Sequence, residues 1–261
     1  MKLQPLFVFA SIRFLLLAEP TSTLAQALPE ETAPVSTSSF NTAQNPVNQV
    51  LFRPSRTGRQ PATRGAGSRN DRLCPQDALT NSDDATSELP ALTALVPDNQ
   101  EGLTRAERPT IWVYLPETSA RQMVLSVREE GFQPHSQRFL AITGEPGIVG
   151  IPLAEDAPPL EVGKVYQWAV VLICGDRPNP NDPFVSGWVQ RVEPANGVNA
   201  PQDALERAVW YGEQGIWYDA LTALAEARRS QPTDPALAEI WTNFLTQPSV
   251  GLEAIANEPL L

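Results

Sequence analysis

Lys164-Val165-Tyr166-Gln167-Trp168-Ala169-Val170-Val171-Leu172-Ile173-Cys174 carries apolar side chains in both phases of a two-residue period. Tyr166, Trp168, Val170 and Leu172 fall on one side, and Val165, Ala169, Val171 and Ile173 on the other. A strand that is apolar on both sides belongs in the middle of a sheet, because an outer strand keeps a wet face. Working outward, short apolar runs bounded by Pro, Gly, Asn and Asp predict further strands at 91–96, 110–115, 122–129, 137–142, 147–153 and 184–192. In the run 122–129, Met123, Leu125 and Val127 alternate with Gln122, Ser126 and Arg128, the pattern of a strand with one wet face. About seven strands with frequent turns predict a mainly β sandwich over residues 73–195.

Ahead of the central run, Leu160-Glu161-Val162-Gly163-Lys164-Val165-Tyr166 resembles the tyrosine corner of immunoglobulin-like and fibronectin-like sandwiches. The matching positions are Leu160, Gly163 and Tyr166, and the resemblance implies a tyrosine hydroxyl bonded back to the chain just upstream. An ordinary turn before a strand is the competing reading. The cysteine and tryptophan spacing of immunoglobulins is missing, so an antibody-type domain is not supported.

From residue 196 the pattern changes to a small α-helical C-terminal unit, 196–261. Trp217, Ala220, Leu221, Leu224 and Ala227 recur at helical spacing, as do Leu237, Ile240, Trp241 and Phe244. Asp234-Pro235 is a helix start, with a capping carboxylate before a proline that needs no N–H partner. Ala208, Tyr211, Gly215, Trp217, Ala220, Leu224, Ala227 and Pro232 resemble one tetratricopeptide repeat. A single repeat cannot bury its own apolar face. Packing against the sandwich in the same chain is the simplest cover, and Trp210, Trp217 and Trp241 would form an interaction surface if left bare.

At the N-terminus, Lys2, the apolar run 6–18 and Thr23-Leu24-Ala25-Gln26-Ala27 form the pattern of a signal peptide, residues 1–27. Arg13 interrupts the run, which falls short of the about 20 apolar residues a membrane span needs. Residues 28–72 are rich in Thr, Ser, Pro, Gln and Asn, with few large apolar groups to offset the entropy of ordering, and are expected to be a disordered spacer. Arg53, Arg56, Arg59, Arg64, Arg69 and Arg72 make its second half basic, as a solvated tail or a tether to anionic lipid or polysaccharide. The chain has 2 cysteines. Behind an export signal, Cys74 and Cys174 predict one disulfide, closing a loop of about 100 residues. The expected location is the periplasm, cell surface or exterior.

A formal charge of -11 argues against a nucleic-acid partner, which requires a basic face. The single histidine, His135, stands beside Pro134 and Ser136 in an expected surface loop, with no Gly-x-Ser-x-Gly elbow. No phosphate loop or His-Glu-x-x-His pattern occurs, and acidic pairs such as Asp83-Asp84 and Glu155-Asp156 lie adjacent in polar turns. Residues 176–182, rich in Asp, Asn and Pro, read as a turn rather than a calcium loop. No cofactor, metal or catalytic residue is expected.

Leu92-Thr93-Ala94-Leu95-Val96-Pro97, Arg108-Pro109-Thr110-Ile111-Trp112-Val113-Tyr114, Ala157-Pro158-Pro159-Leu160-Glu161-Val162-Gly163-Lys164, Gly187-Trp188 and Gly215-Ile216-Trp217-Tyr218-Asp219-Ala220-Leu221 together resemble a cyanobacterial family known as domain of unknown function 928. The resemblance spans residues 73–261 and implies an exported cyanobacterial protein with no assigned activity. The leading functional expectation is a non-catalytic binding or scaffold module with an envelope or surface protein partner. A carbohydrate-binding sandwich, using tryptophans among Trp112, Trp188, Trp210 and Trp217, is the alternative from a second class. An unfamiliar hydrolase is a third.

Overall fold

The computed structural model describes residues 49–54, 73–78, 90–98, 101–130, 134–193 and 199–261. The chain divides into the units Met1–Gln44 and Asn45–Leu261, and every described residue lies in the second. The signal peptide and most of the spacer, residues 1–48 and 55–72, fall outside the described residues.

A short helix α1 (Pro75–Ala78) precedes eight strands: β1 (Thr93–Ala94), β2 (Glu101–Thr104), β3 (Thr110–Leu115), β4 (Gln122–Glu129), β5 (Pro134–Ala141), β6 (Gly147–Pro152), β7 (Val165–Ile173) and β8 (Phe184–Arg191). They form a three-stranded sheet in the order β1-β3-β6 and a five-stranded sheet in the order β2-β8-β7-β4-β5. The doubly apolar β7 lies at the centre of the larger sheet, as its pattern requires. Its inward side chains Tyr166, Trp168, Val170 and Leu172 share one core with Met123, Leu125 and Val127 of β4 and with Ile111, Val113 and Leu115 of β3.

Three details differ from the sequence reading. β1 shrinks to two residues, although Leu92 and Leu95 beside it are fully buried and Leu95 N–H donates to Trp112 O at 3.0 Å. β2 pairs in parallel with β8 and was not expected, because Glu101-Gly102-Leu103-Thr104 shows no apolar alternation. His135 lies in β5 rather than a loop, its ring edge-on to Tyr166 at 5.0 Å. Its Nε2 faces Pro158 O at 3.0 Å, and since a carbonyl only accepts, Nε2 carries the proton in this bond.

Helices α2 (Ala204–Glu213), α3 (Trp217–Ser230) and α4 (Pro235–Leu245) follow. Asp203 caps α2 through Leu205 N and Glu206 N, and Asp234 caps α4 through Ala236 N with Pro235 at the first helical position. Between α2 and α3 the chain reverses at Gly215, whose φ of 72° suits a residue without Cβ. Past Glu253–Ile255, a 3-10 turn, the terminus returns to the smaller sheet: Ile148 N–H donates to Pro259 O at 2.7 Å and Leu261 N–H to Ile148 O at 3.0 Å.

The helices and sheets share a single core. Burying an indole removes roughly 200 Å² from water, but its N–H then needs an acceptor. Three indoles are satisfied across this junction: Trp217 Nε1 donates to Leu95 O at 2.9 Å, Trp112 Nε1 to Thr222 Oγ1 at 3.0 Å, and Trp168 Nε1 to Tyr218 Oη at 2.7 Å. The Tyr218 hydroxyl donates onward to Trp188 O at 2.9 Å. The apolar face of the helical unit is thus covered within the chain.

That covering overturns Trp217 and Trp241 as an interaction surface, since both are 0% exposed. Their helical spacing marked a face that α3 and α4 turn inward. Trp210 is half-buried, with the Arg105 guanidinium 4.6 Å from its ring. The spacer is also corrected in one place: residues 49–54 are ordered against the helices, with Val50 and Phe52 in the core.

Candidate interaction surface

The outer face of the five-stranded sheet follows from the same alternation that builds the core. Residues directly opposite one another in adjacent strands point to the same face. Phe139 of β5 pairs with Val124 of β4, Val124 with Val171 of β7, and Val171 with Phe184 of β8. This row points away from the core, and its ends are bare: Phe139 is 51% exposed and Phe184 39%. Val124, between them, is only 4% exposed. At roughly 4.8 Å per strand the row is about 14 Å wide.

One step along the strands, Ser126 pairs with Gln137 and Ala169, and Ala169 with Ser186, a floor of small and polar groups. Gln137 Nε2 donates to Ser126 Oγ at 3.2 Å. Beyond the floor, Arg128 pairs with Gln167 and Gln167 with the half-buried Trp188. The Arg128 guanidinium is held on Gln167 Oε1 by donations from Nε at 2.9 Å and Nη2 at 2.6 Å.

Neither phenylalanine stood out in the sequence. The signal was present in β5, where Gln137, Phe139 and Ala141 face out while Ser136 and Arg138 face in. The largest ring therefore sits in the phase that β4 reserves for Gln122 and Ser126. Without the pairing register, that inversion has no reference.

The corner residues occupy one turn. Tyr166 Oη accepts from Glu161 N at 3.1 Å, Leu160 is fully buried, and Gly163 has a φ of 81°. Lys164, next in line, bridges Glu129 at 3.1 Å and Glu161 at 2.8 Å. Cys74 and Cys174 form the disulfide, with Cα atoms 5.4 Å apart, and tie α1 to the end of β7. Beside it Asp77 accepts from Thr118 Oγ1 at 2.6 Å and Ser119 N at 2.9 Å. Burial alone would raise the Asp77 carboxyl, but these hydrogen bonds outweigh it and hold the group below its usual range.

Among the described residues, two clefts that contain ionisable groups bear on whether the chain does chemistry. One, of about 210 Å³, lies between the β2–β3 connection and helices α2 and α3. Its charged groups are paired: Asp219 Oδ2 accepts from Thr104 Oγ1 at 2.7 Å and Arg105 N at 3.2 Å, Arg108 donates twice to Ala157 O, and Arg207 pairs with Glu226. The other, of about 680 Å³, is lined by Asp77, Tyr114, Glu117, Arg121, Glu145 and Glu258. There the Tyr114 hydroxyl is pushed up to about 12 by burial and by the neighbouring Glu258. Arg121 Nη1 is spent on Thr118 O and Ala120 O. The loop at 176–182 is a closed turn, with Asp182 accepting from Cys174 N and Asn179 N. Among the described residues no group of three or more His, Cys, Asp or Glu side chains converges on a metal position. No described helix is long and apolar enough to cross a membrane.

Fold and surface together define a β-rich protein of two sheets with a helical C-terminal region, closed by a disulfide. The chain belongs to the family described as Domain of Unknown Function (DUF928), whose model matches residues 64–260. No curated protein matches it.

Proposed function

We propose that the chain is a non-catalytic binding or scaffold module of the cell envelope, presenting the outer face of its five-stranded sheet to a protein partner. The observation that carries this is the row Phe139–Val124–Val171–Phe184 with an exposed ring at each end. Exposed aromatic anchors beside a polar margin are the usual make-up of a recognition surface. Export through a signal at residues 1–27, to the periplasm, surface or exterior of a cyanobacterium, belongs to the same reading. The Cys74–Cys174 bond supports it, since such bonds persist in oxidising compartments.

The architecture fits an immunoglobulin-like or fibronectin-like sandwich. In chain order, β1, β3 and β6 make one sheet and β2, β4, β5, β7 and β8 the other, with Tyr166 at the start of β7 where a tyrosine corner belongs. The α2–α3 hairpin turning at Gly215 supports reading it as one tetratricopeptide-like unit.

The test places a photo-crosslinking residue at position 139 of the exported chain. A discrete protein adduct is expected there, none at the exposed helical position Glu239, and loss of the adduct when Phe184→Asp is added. Equal labelling at both positions, or an adduct indifferent to position 184, overturns the reading.

A polysaccharide ligand is favoured by a separate feature of the same face. Phe184 and Trp188 both face outward on β8, about 13 Å apart, across the floor of Ser126, Ala169 and Ser186. Two aromatic platforms over small hydroxyl groups suit stacked sugar rings. Retention on a glycan array that Trp188→Ala abolishes would select this reading, and blank arrays would remove it.

A further inference from the structure

Residues 49–54 cross the helical unit as an extended strap with alternating side chains: Val50 is 1% exposed, Leu51 37% and Phe52 7%. Gln247, just beyond α4, grips its backbone on both sides. Phe52 N–H donates to Gln247 Oε1 at 2.8 Å, and Gln247 Nε2 donates to Val50 O at 3.0 Å. A side-chain amide thereby does what a neighbouring strand does, accepting from one residue and donating to the residue two before it. Arg53 N–H donates to Gly212 O at 3.0 Å. Gly212 is itself fitted to the strap, because a Cβ there would stand 2.5 Å from Leu51 O. The Phe52 ring meets Trp217 edge-on at 4.9 Å, and Trp217 stacks on Phe244 at 5.2 Å.

Every one of these groups, Gly212, Trp217, Phe244 and Gln247, comes from the helical unit. Main-chain bonds plus alternate buried side chains are how extended peptides are recognised in general. We propose that the groove between α2 and α4 is a peptide-binding site for an extended Val-x-Phe segment, and that residues 49–54 are its resident, displaceable occupant. The occupant is this chain's own strap, present at high effective concentration because it belongs to the same chain. The proposal is independent of the sheet face.

The test uses the full chain carrying Val50→Ser and Phe52→Ser, with a labelled, end-blocked peptide of residues 49–54 as probe. Fluorescence anisotropy should show saturable binding to this variant and at least about tenfold weaker binding to the unaltered chain, whose groove is filled. Adding Gln247→Ala to the variant should weaken peptide binding by about tenfold. No saturable binding to a variant with wild-type circular dichroism, or a variant that does not fold, overturns the proposal. Amide exchange on the unaltered chain supplies a second reading. The Phe52 and Arg53 amides should exchange at least about tenfold faster than those of β7, through local release of the strap. Equal rates would make the strap an inseparable part of the core and sink the idea.

Discussion

Asp219 stands in the first turn of α3, where a carboxylate is favoured by the unpaired N–H groups of a helix start. Burial nevertheless pushes its carboxyl above the ordinary range, against the hydrogen bonds from Thr104 and Arg105 N and the charge of Arg105. A carboxyl raised in the folded state binds more protons there than in the unfolded chain, so its contribution to stability is full below pH about 4 and is lost as pH rises through the folded value. Asp77 works in the opposite sense, its lowered carboxyl stabilising the fold above that pH. Asp219→Asn isolates the first effect. The stability of the wild type relative to the variant, from urea denaturation at a series of pH values, should decline as pH rises from about 4 and then level off. A difference that is flat or that rises would place the ionised carboxylate at no cost in the fold. None of this is legible in the sequence, because Thr104 lies 115 residues from Asp219 and no local pattern links them.

Among the elements, those with strong local rules were readable. Asp234-Pro235 carries its own capping chemistry, and β3 and β4 run over the expected residues because their apolar periods are unbroken. β2 was missed, and its reason for existing is tertiary. Gly102 leaves room for α3, since a Cβ there would come within 2.5 Å of the Tyr218 ring and 3.1 Å of Trp217. Gly102→Ala should therefore push α3 away from β2 and lower the unfolding free energy by about 1–3 kcal/mol, read from the denaturation midpoint. An unchanged midpoint would mean that the junction yields without cost. The outward ring of Phe139 escaped for a related reason. Period-two alternation says which residues share a face, while only pairing with β4 says which face is wet.

For the whole molecule, the Cys74–Cys174 bond closes a loop that contains seven of the eight strands, β1 to β7, and leaves β8 outside it. Replacing both cysteines with alanine should lower stability by about 2–5 kcal/mol, seen as a fall in Tm that reductant reproduces in the wild type. A melting curve indifferent to reductant would show the loop already ordered by its core. The sequence by itself determined the β-rich body, the helical tail and the pairing of its two cysteines, because periodicity, caps and residue counts act locally or by elimination, and its short motifs carried the resemblance to the family. Only the tertiary structure decided which tryptophans are hidden, that residues 49–54 are strapped onto the helices, and that Phe139 and Phe184 stand bare at the two ends of one outward row. Those outcomes depend on contacts between residues far apart in the chain, and a one-residue change of register would reverse each of the exposed faces.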